Sequence, residues 1–308
     1  MNVPLGARPV VVTGATGFVG RALCERLAAD GFEIRALTRD AASAERRIPV
    51  PVRATSWDAM REPPSAEPFE GARAVVHLAG ESVSGRWSAS KKKRILESRR
   101  DGTRNLVSRL LSLGDRPEVL VSASAIGYYG DRGEEILDES CDPGGGFLAE
   151  VCRVWESEAT RASQAGIRVV LLRIGIVVGP GGGALEAMLP PFRLGAGGPL
   201  GNGRQWWSWV GRDDVVGSAL HAMESDLSGP LNVTAPRPVR QREFARALGR
   251  AMSRPSFMPA PAIALRIALG EFAGELLSSA RVIPAGLTAS GFRHAQPDLG
   301  ETLASSLH

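Results

Sequence analysis

The stretch Val10 to Gly20, VVVTGATGFVG, decides the fold. A run of β-branched residues makes a buried strand, and the chain then turns through glycines into a helical pattern. Each glycine answers a separate need. Gly14 permits the tight turn, Gly17 lets the backbone approach a pyrophosphate, and Gly20 lets the helix pack closely on the sheet. The helix N-terminus presents free N–H groups and partial positive charge to phosphate. A glycine loop alone is weak evidence. A loop that follows a strand and opens a helix is the setting of a dinucleotide site.

Outward from this loop the pattern alternates. The first helix runs over 19–31, with Ala22, Leu23, Leu27 and Ala28 apolar and Gly31 as its stop. FEIRALTR (32–39), VPVRATSWD (50–58), ARAVVHLAG (72–80), VLVSAS (119–124) and IRVVLLRIGIVVGP (167–180) read as the second to sixth strands. Residues 88–113 and 147–165 read as helices between them, and PLNVTAP (230–236) as a late strand. The fold class predicted is α/β: a Rossmann doubly wound parallel sheet with a small, mainly helical C-terminal lobe. Residues 9–180 form the dinucleotide-binding domain, completed by about 206–235. Residues 181–205 and 236–308 form the substrate-side lobe. The Gly- and Pro-rich excursion after Pro180 carries Trp206, Trp207 and Trp209, which either line a substrate pocket or pack the lobe.

Bulk properties bound the function. The chain has 308 residues, 44% hydrophobic and 23% charged, with a formal net charge of +4. These are the values of an ordinary soluble globular protein. Its basic run KKKRILESRR (91–100) reads as the solvated face of a helix, so no nucleic-acid partner is expected. The three cysteines, Cys24, Cys141 and Cys152, have no metal or disulfide spacing, and no metal is expected. No leader pattern precedes Val10 and no apolar run reaches membrane-spanning length, so a reducing cytoplasm is the expected compartment and no membrane contact is expected. Either a monomer or a homodimer fits.

The end of the second strand selects the dinucleotide. An acid there would bind the ribose hydroxyls of NAD, but this chain has Thr38-Arg39-Asp40. The Arg39 guanidinium can clamp a 2′-phosphate and Thr38 can add a hydroxyl, while Asp40 comes one step late. NADP(H) is the expected cofactor, with a solvated Arg39 as the alternative. Leu78, Ala79 and Gly80 are the small, apolar residues expected beside the ribose and pyrophosphate, and His77 reads as a buried, hydrogen-bonded histidine.

TGATGFVG, HLAG, the serine-bearing fifth strand and LRIGIVVGP together resemble the extended and atypical short-chain dehydrogenases/reductases. RWSASKKKRILESRRDGT, SASAIGYYG, PPFRLGAGGPLGNGRQWWSWV and GFRHAQPDLGETL narrow that resemblance. They are similar to the "epimerase family protein" group of NAD(P)-dependent epimerase/dehydratase-like proteins. The resemblance implies NADP(H) binding and no known substrate. The residues expected against the cofactor are Gly14, Thr16, Gly17, Phe18, Val19, Thr38, Arg39, Leu78, Ala79, Gly80, Arg99, Ser122 and Ile176.

In that superfamily a tyrosine moves the proton and a lysine four residues later lowers its pKa. Those two positions share one helix face. This chain cannot make the pair. Its lysines are Lys91, Lys92 and Lys93, and both tyrosines, Tyr128 and Tyr129, come after them. The matching helix positions are Phe147 and Val151, which with Trp155 and Ala159 form an apolar stripe. The remaining catalytic candidates are Ser124, Tyr128 and Arg99, with Ser122 as a second serine and Glu81 and Glu150 as nearby carboxylates of structural character. Three functions remain open. The first is an NADP(H)-dependent oxidoreductase acting on a carbonyl or alcohol. The second is a non-catalytic NADP(H)-binding sensor or scaffold. The third is a nucleotide-sugar epimerase, which the missing pair disfavours.

Overall fold

The valine run forms an interior strand of a parallel sheet. In this computed structural model, which describes residues 8–307, the strands in chain order begin with β1 (Val10–Thr13), β2 (Ile34–Thr38), β3 (Arg53–Ser56), β4 (Ala74–His77) and β5 (Val119–Ala125). They continue with β6 (Ile136–Leu137), β7 (Arg168–Ile174), β8 (Ile176–Val178), β9 (Trp206–Trp207), β10 (Trp209–Gly211), β11 (Gly229–Val233), β12 (Val239–Arg240) and β13 (Arg281–Val282). Residues 1–7, where the absence of a leader pattern was read, lie outside the described residues. The helices are α1 (Phe18–Ala29), α2 (Ala41–Arg47), α3 (Ala89–Ser112), α4 (Phe147–Thr160), α5 (Gly183–Arg193) and α6 (Arg212–Glu224). In the lobe they are α7 (Gln241–Ala251), α8 (Ala262–Leu269), α9 (Phe272–Leu277), α10 (Ala285–Ala289) and α11 (Leu299–Ser306).

The large sheet has the order β11-β7-β5-β4-β1-β2-β3, with every pair parallel. Strand alternation sends Val10 and Val12 to one face, against Leu23 and Leu27 of α1 and Val215 and Ala219 of α6. Val11 goes to the other, against Leu106 and Leu110 of α3 and Ala159 of α4. Helices therefore cover both faces, as an all-parallel sheet requires. Strand order reverses between β1 and β4, so a crevice opens beyond their C-terminal ends.

Two departures from the sequence reading shape the site. The sixth strand is not continuous over 167–180. At Gly175 the chain leaves the large sheet: Gly175 N–H still donates to Val233, but Ile176 N–H donates to Ser208 and β8 pairs with β10. The helix expected over 147–165 is α4 followed by a 3₁₀ turn at Arg161–Ala165. The apolar stripe is as read. Val151, Trp155 and Ala159 are buried, and Phe147 packs edge-on to Trp87 at 5.2 Å.

Short strand pairs fasten the lobe to the rest: β9 with β12, and β6 with β13. The lobe core gathers Trp207, Trp209, Phe244, Leu248 and Leu303. Among the described residues, no helix is long and apolar enough to cross a membrane.

Candidate functional site

The glycine loop leaves β1 as the sequence demands. Gly14 has φ +70°, and a Cβ there would lie 2.8 Å from the Leu78 carbonyl; a Cβ on Gly20 would lie 2.1 Å from the Gly14 oxygen. No side chain caps the N-terminus of α1 at Gly17, so its first-turn N–H groups stay available to an anion. A cleft of about 470 Å³ lies over this end, and Gly14, Thr16, Gly17, Thr38, Arg39, Leu78, Ala79 and Gly80 all line it.

Asp40 is occupied elsewhere. Its carboxylate caps α2, accepting the Ser43 N–H at 2.9 Å. Arg39 is exposed at the cleft wall, and a second guanidinium, Arg47 near the end of α2, lines the same wall. Sequence reasoning missed Arg47, and also Ser43, Trp57 and Ala59 of this cleft. The signal for the last two was the SWDAM segment that ends the weak third strand. The Trp57 indole is fixed by donating to the Glu62 carbonyl at 2.7 Å.

His77 is fully buried between Thr13 Oγ1, 2.7 Å from Nδ1, and Thr103 Oγ1, 3.0 Å from Nε2. Burial, helped by the Arg99 charge, lowers its pKa from the ordinary 6.5 to about 4. A depressed folded-state value means the neutral ring stabilises the fold above the unfolded value, and that stability is lost as pH falls through about 4. Urea unfolding should therefore show a loss of up to about 3 kcal/mol from this group between pH 6.5 and 4. His77→Gln should flatten that component. An unchanged pH profile in the variant would count against it.

Ser124 and Tyr129 of VSASAIGYYGDR enter a buried network instead of a cleft wall. Ser124 Oγ donates to Glu156 Oε1 at 2.6 Å. Glu156 pairs bidentately with Arg173, Oε1 to Nε and Oε2 to Nη2, both 2.9 Å. Arg173 Nη1 donates to the Tyr129 hydroxyl at 3.0 Å, which donates on to Asn232 Oδ1 at 2.7 Å. Burial would lower the Arg173 pKa, but the Glu156 hydrogen bonds and charge more than reverse this. Burial pushes the Tyr129 phenol up to about 12, against the pull of Arg173. The Arg173 guanidinium also covers the Tyr128 ring, 3.4 Å from its centroid. The sequence reading missed Glu156 and Arg173; the available signal was an arginine inside the apolar run LLRIGIVV.

The other predicted residues divide as follows. Arg99 lies against Gly80, donates to the Glu81 carbonyl at 2.9 Å and the Ile95 carbonyl at 3.3 Å, and sits 4.9 Å from the Trp155 ring centroid. Ser122 is fully buried and donates to the Ala123 carbonyl; Val19 packs on the main core. Glu81 is held below the usual carboxylate range, first by the Lys91 hydrogen bond at 2.8 Å. Glu150 is exposed. Burial pushes the thiols of Cys24 and Cys152 up to about 12.

Phe18 and Ile176 line a second cavity of about 600 Å³, under the lobe. The backbone and small side chains of Ala125, Ile126, Gly127 and Gly130 form its floor, and Trp206, Trp207 and Phe272 stand in its walls. Two segments pass from one cavity into the other, Gly17 to Phe18 and Glu81 to Ser82. Of the three tryptophans, Trp209 belongs to the lobe core and is absent from these walls.

A family model described as the NAD dependent epimerase/dehydratase family matches residues 10–233. The chain belongs to this family. A second model, a domain of unknown function (DUF1731), matches residues 260–306 and covers the lobe from before α8 to α11. An epimerase/dehydratase-family relative, the chloroplastic epimerase family protein SDR39U1 homolog of Arabidopsis thaliana, is 43% identical over 293 residues, 92% of this chain and 82% of its own. The crystal structure of human epimerase family protein SDR39U1 (isoform 2) with NADPH matches with a TM-score of 0.85 at 32% identity, over 97% of this chain and 98% of that one. The nucleoside-diphosphate sugar epimerase of Corynebacterium glutamicum matches with a TM-score of 0.77 at 33% identity, over 98% of this chain and 59% of that one. The Rossmann architecture and the family resemblance read from the sequence both stand.

Proposed function

We propose that this chain binds NADP(H) along the two cavities and uses it to interconvert a carbonyl compound and its alcohol. The carrying observation is the wall beside Thr38. Arg39 and Arg47 line it with no protein partner among the described residues, while Asp40 is spent on the α2 cap. Two guanidiniums, with Asp40 engaged at the α2 cap and Asp58 of the same cleft paired with Arg61 at 3.1 Å, suit a 2′-phosphate. The human relative's structure with NADPH supports the same reading. The uncapped α1 N-terminus would take the pyrophosphate, and Gly17-Phe18 and Glu81-Ser82 would carry the nicotinamide half into the second cavity. Bound there, the cofactor supplies or accepts a hydride.

In this reading Ser124 and Tyr129 hold the floor, because their hydroxyls are engaged by Glu156, Arg173 and Asn232. Arg99 braces the Gly80–Glu81 loop against α4 through two backbone carbonyls and Trp155. Tyr128 is covered by Arg173 and does not stand in the cavity wall. The nucleotide-sugar epimerase reading lacks support at the second cavity, whose walls carry no arginine or lysine among the described residues to meet a sugar diphosphate.

The experiment is NADPH consumption, followed by absorbance, over a panel of uncharged aldehydes and ketones. Saturable oxidation with at least one of them is the expected result. Tight NADPH binding with no oxidation on any of them would support the non-catalytic sensor instead.

A further inference from the structure

Among the described residues the second cavity holds one ionisable side chain, Glu275 of α9. Its setting is unlike that of the other carboxylates near it. Glu271, one turn earlier, pairs with Lys92 at 2.6 Å. Glu134 pairs with Arg240 and accepts from the Trp206 indole. Arg281 stacks on Trp206, with the guanidinium carbon 4.4 Å from the ring centroid, and Arg266 on α8 is exposed. Glu275 has no hydrogen-bond or ion-pair partner for its carboxyl among the described residues, and burial alone acts on it, raising its pKa. Its neighbours along the wall are Trp206, Trp207, Phe272 and Leu276.

A half-buried carboxyl is costly to leave unpaired when ionised. When protonated, the same group is a hydrogen-bond donor to whatever enters, and its raised pKa favours that form. Among the described residues no arginine or lysine lines this wall, so it offers no counter-charge to an anionic substrate. The missing tyrosine–lysine pair leaves the proton of a carbonyl reduction without its usual carrier.

We propose that Glu275 is the acid–base group of the second cavity and that its substrate is an uncharged, largely apolar ketone or aldehyde, or the matching alcohol. The assignment rests on the NADP(H) oxidoreductase reading above. In reduction the carbonyl carbon takes the hydride equivalent from the dihydronicotinamide. The carbonyl oxygen takes the proton from the Glu275 carboxyl. The C=O π bond is lost, one C–H and one O–H bond form, and the carboxylate recovers its proton from water. In oxidation Glu275 starts as the carboxylate and accepts the hydroxyl proton.

The test does not depend on turnover. Dicyclohexylcarbodiimide is small and apolar and modifies protonated carboxyls. Applied to the whole chain over a series from about pH 5 to 8 and read by peptide mass spectrometry, it should modify Glu275 faster than the exposed carboxylates, with the rate falling at a higher pH than theirs, and Glu275→Gln should remove that label. A Glu275 that labels no faster than Glu271 overturns the inference. Where the carbonyl panel gives turnover, Glu275→Gln should lower kcat by roughly 10²- to 10⁴-fold with NADPH affinity unchanged, and Glu275→Asp should restore part of it. Wild-type kcat in Glu275→Gln also overturns the inference, and leaves the oxidoreductase reading standing. Fast labelling without turnover on any carbonyl would show a protonated carboxyl with no reaction to serve, overturning the oxidoreductase reading and the assignment with it.

Discussion

Glu156→Leu is expected to cost about 3–5 kcal/mol of folding stability, the range for breaking a buried ion pair by removing one partner. The magnitude follows from what remains. Arg173 is 3% exposed and stays charged, because a guanidinium does not lose its proton in a protein. Its Nε and Nη2 would lose both carboxylate bonds and Ser124 would lose its acceptor. Only the Tyr129 hydroxyl and the two tyrosine rings would still meet the cation. The double variant Glu156→Leu/Arg173→Met removes both charges and should recover most of the loss, since apolar replacement of a whole buried pair is often neutral. Urea unfolding of the singles and the double gives the coupling directly. A single variant within about 1 kcal/mol of wild type would mean that water reaches the pair.

Arg39→Ala should weaken NADPH binding by about 1.5–3 kcal/mol, roughly 10- to 150-fold, the contribution of a charge-assisted contact to phosphate. Arg47→Ala should act in the same direction, and the double variant should bind NADPH and NADH alike. NADH affinity should change little in either single variant, because that ligand has no 2′-phosphate. Equal losses for the two cofactors would move the arginines from phosphate recognition to general support of the cleft.

Strand β1, its glycine turn and α1 were legible because local chemistry alone specifies them. Valines extend the chain, Gly14 turns it, and Leu23, Cys24 and Leu27 face the sheet. The place of Arg39 at the cleft wall was legible from the residues at the end of β2 alone. What was not legible depends on contacts between distant segments. The run Ile167–Pro180 has no internal mark at Gly175, because the partner that draws β8 away is β10, more than thirty residues on. Ser124 looked open from its strand; its acceptor Glu156 lies on α4 and the neutralising Arg173 on β7. Arg47 reaches the cleft only because α2 folds back along it. Glu275 sits in a short helix of a proline-broken tail, where neither spacing nor periodicity announces a site.

The decisive property is which dinucleotide the first cleft prefers. Trp57 lines that cleft and gives an intrinsic fluorescence signal. Titration of the wild-type chain with NADPH and NADH at one ionic strength should give a Kd for NADPH lower by at least about tenfold, as one charge-assisted phosphate contact requires. Equal dissociation constants, or tighter NADH binding, would contradict it.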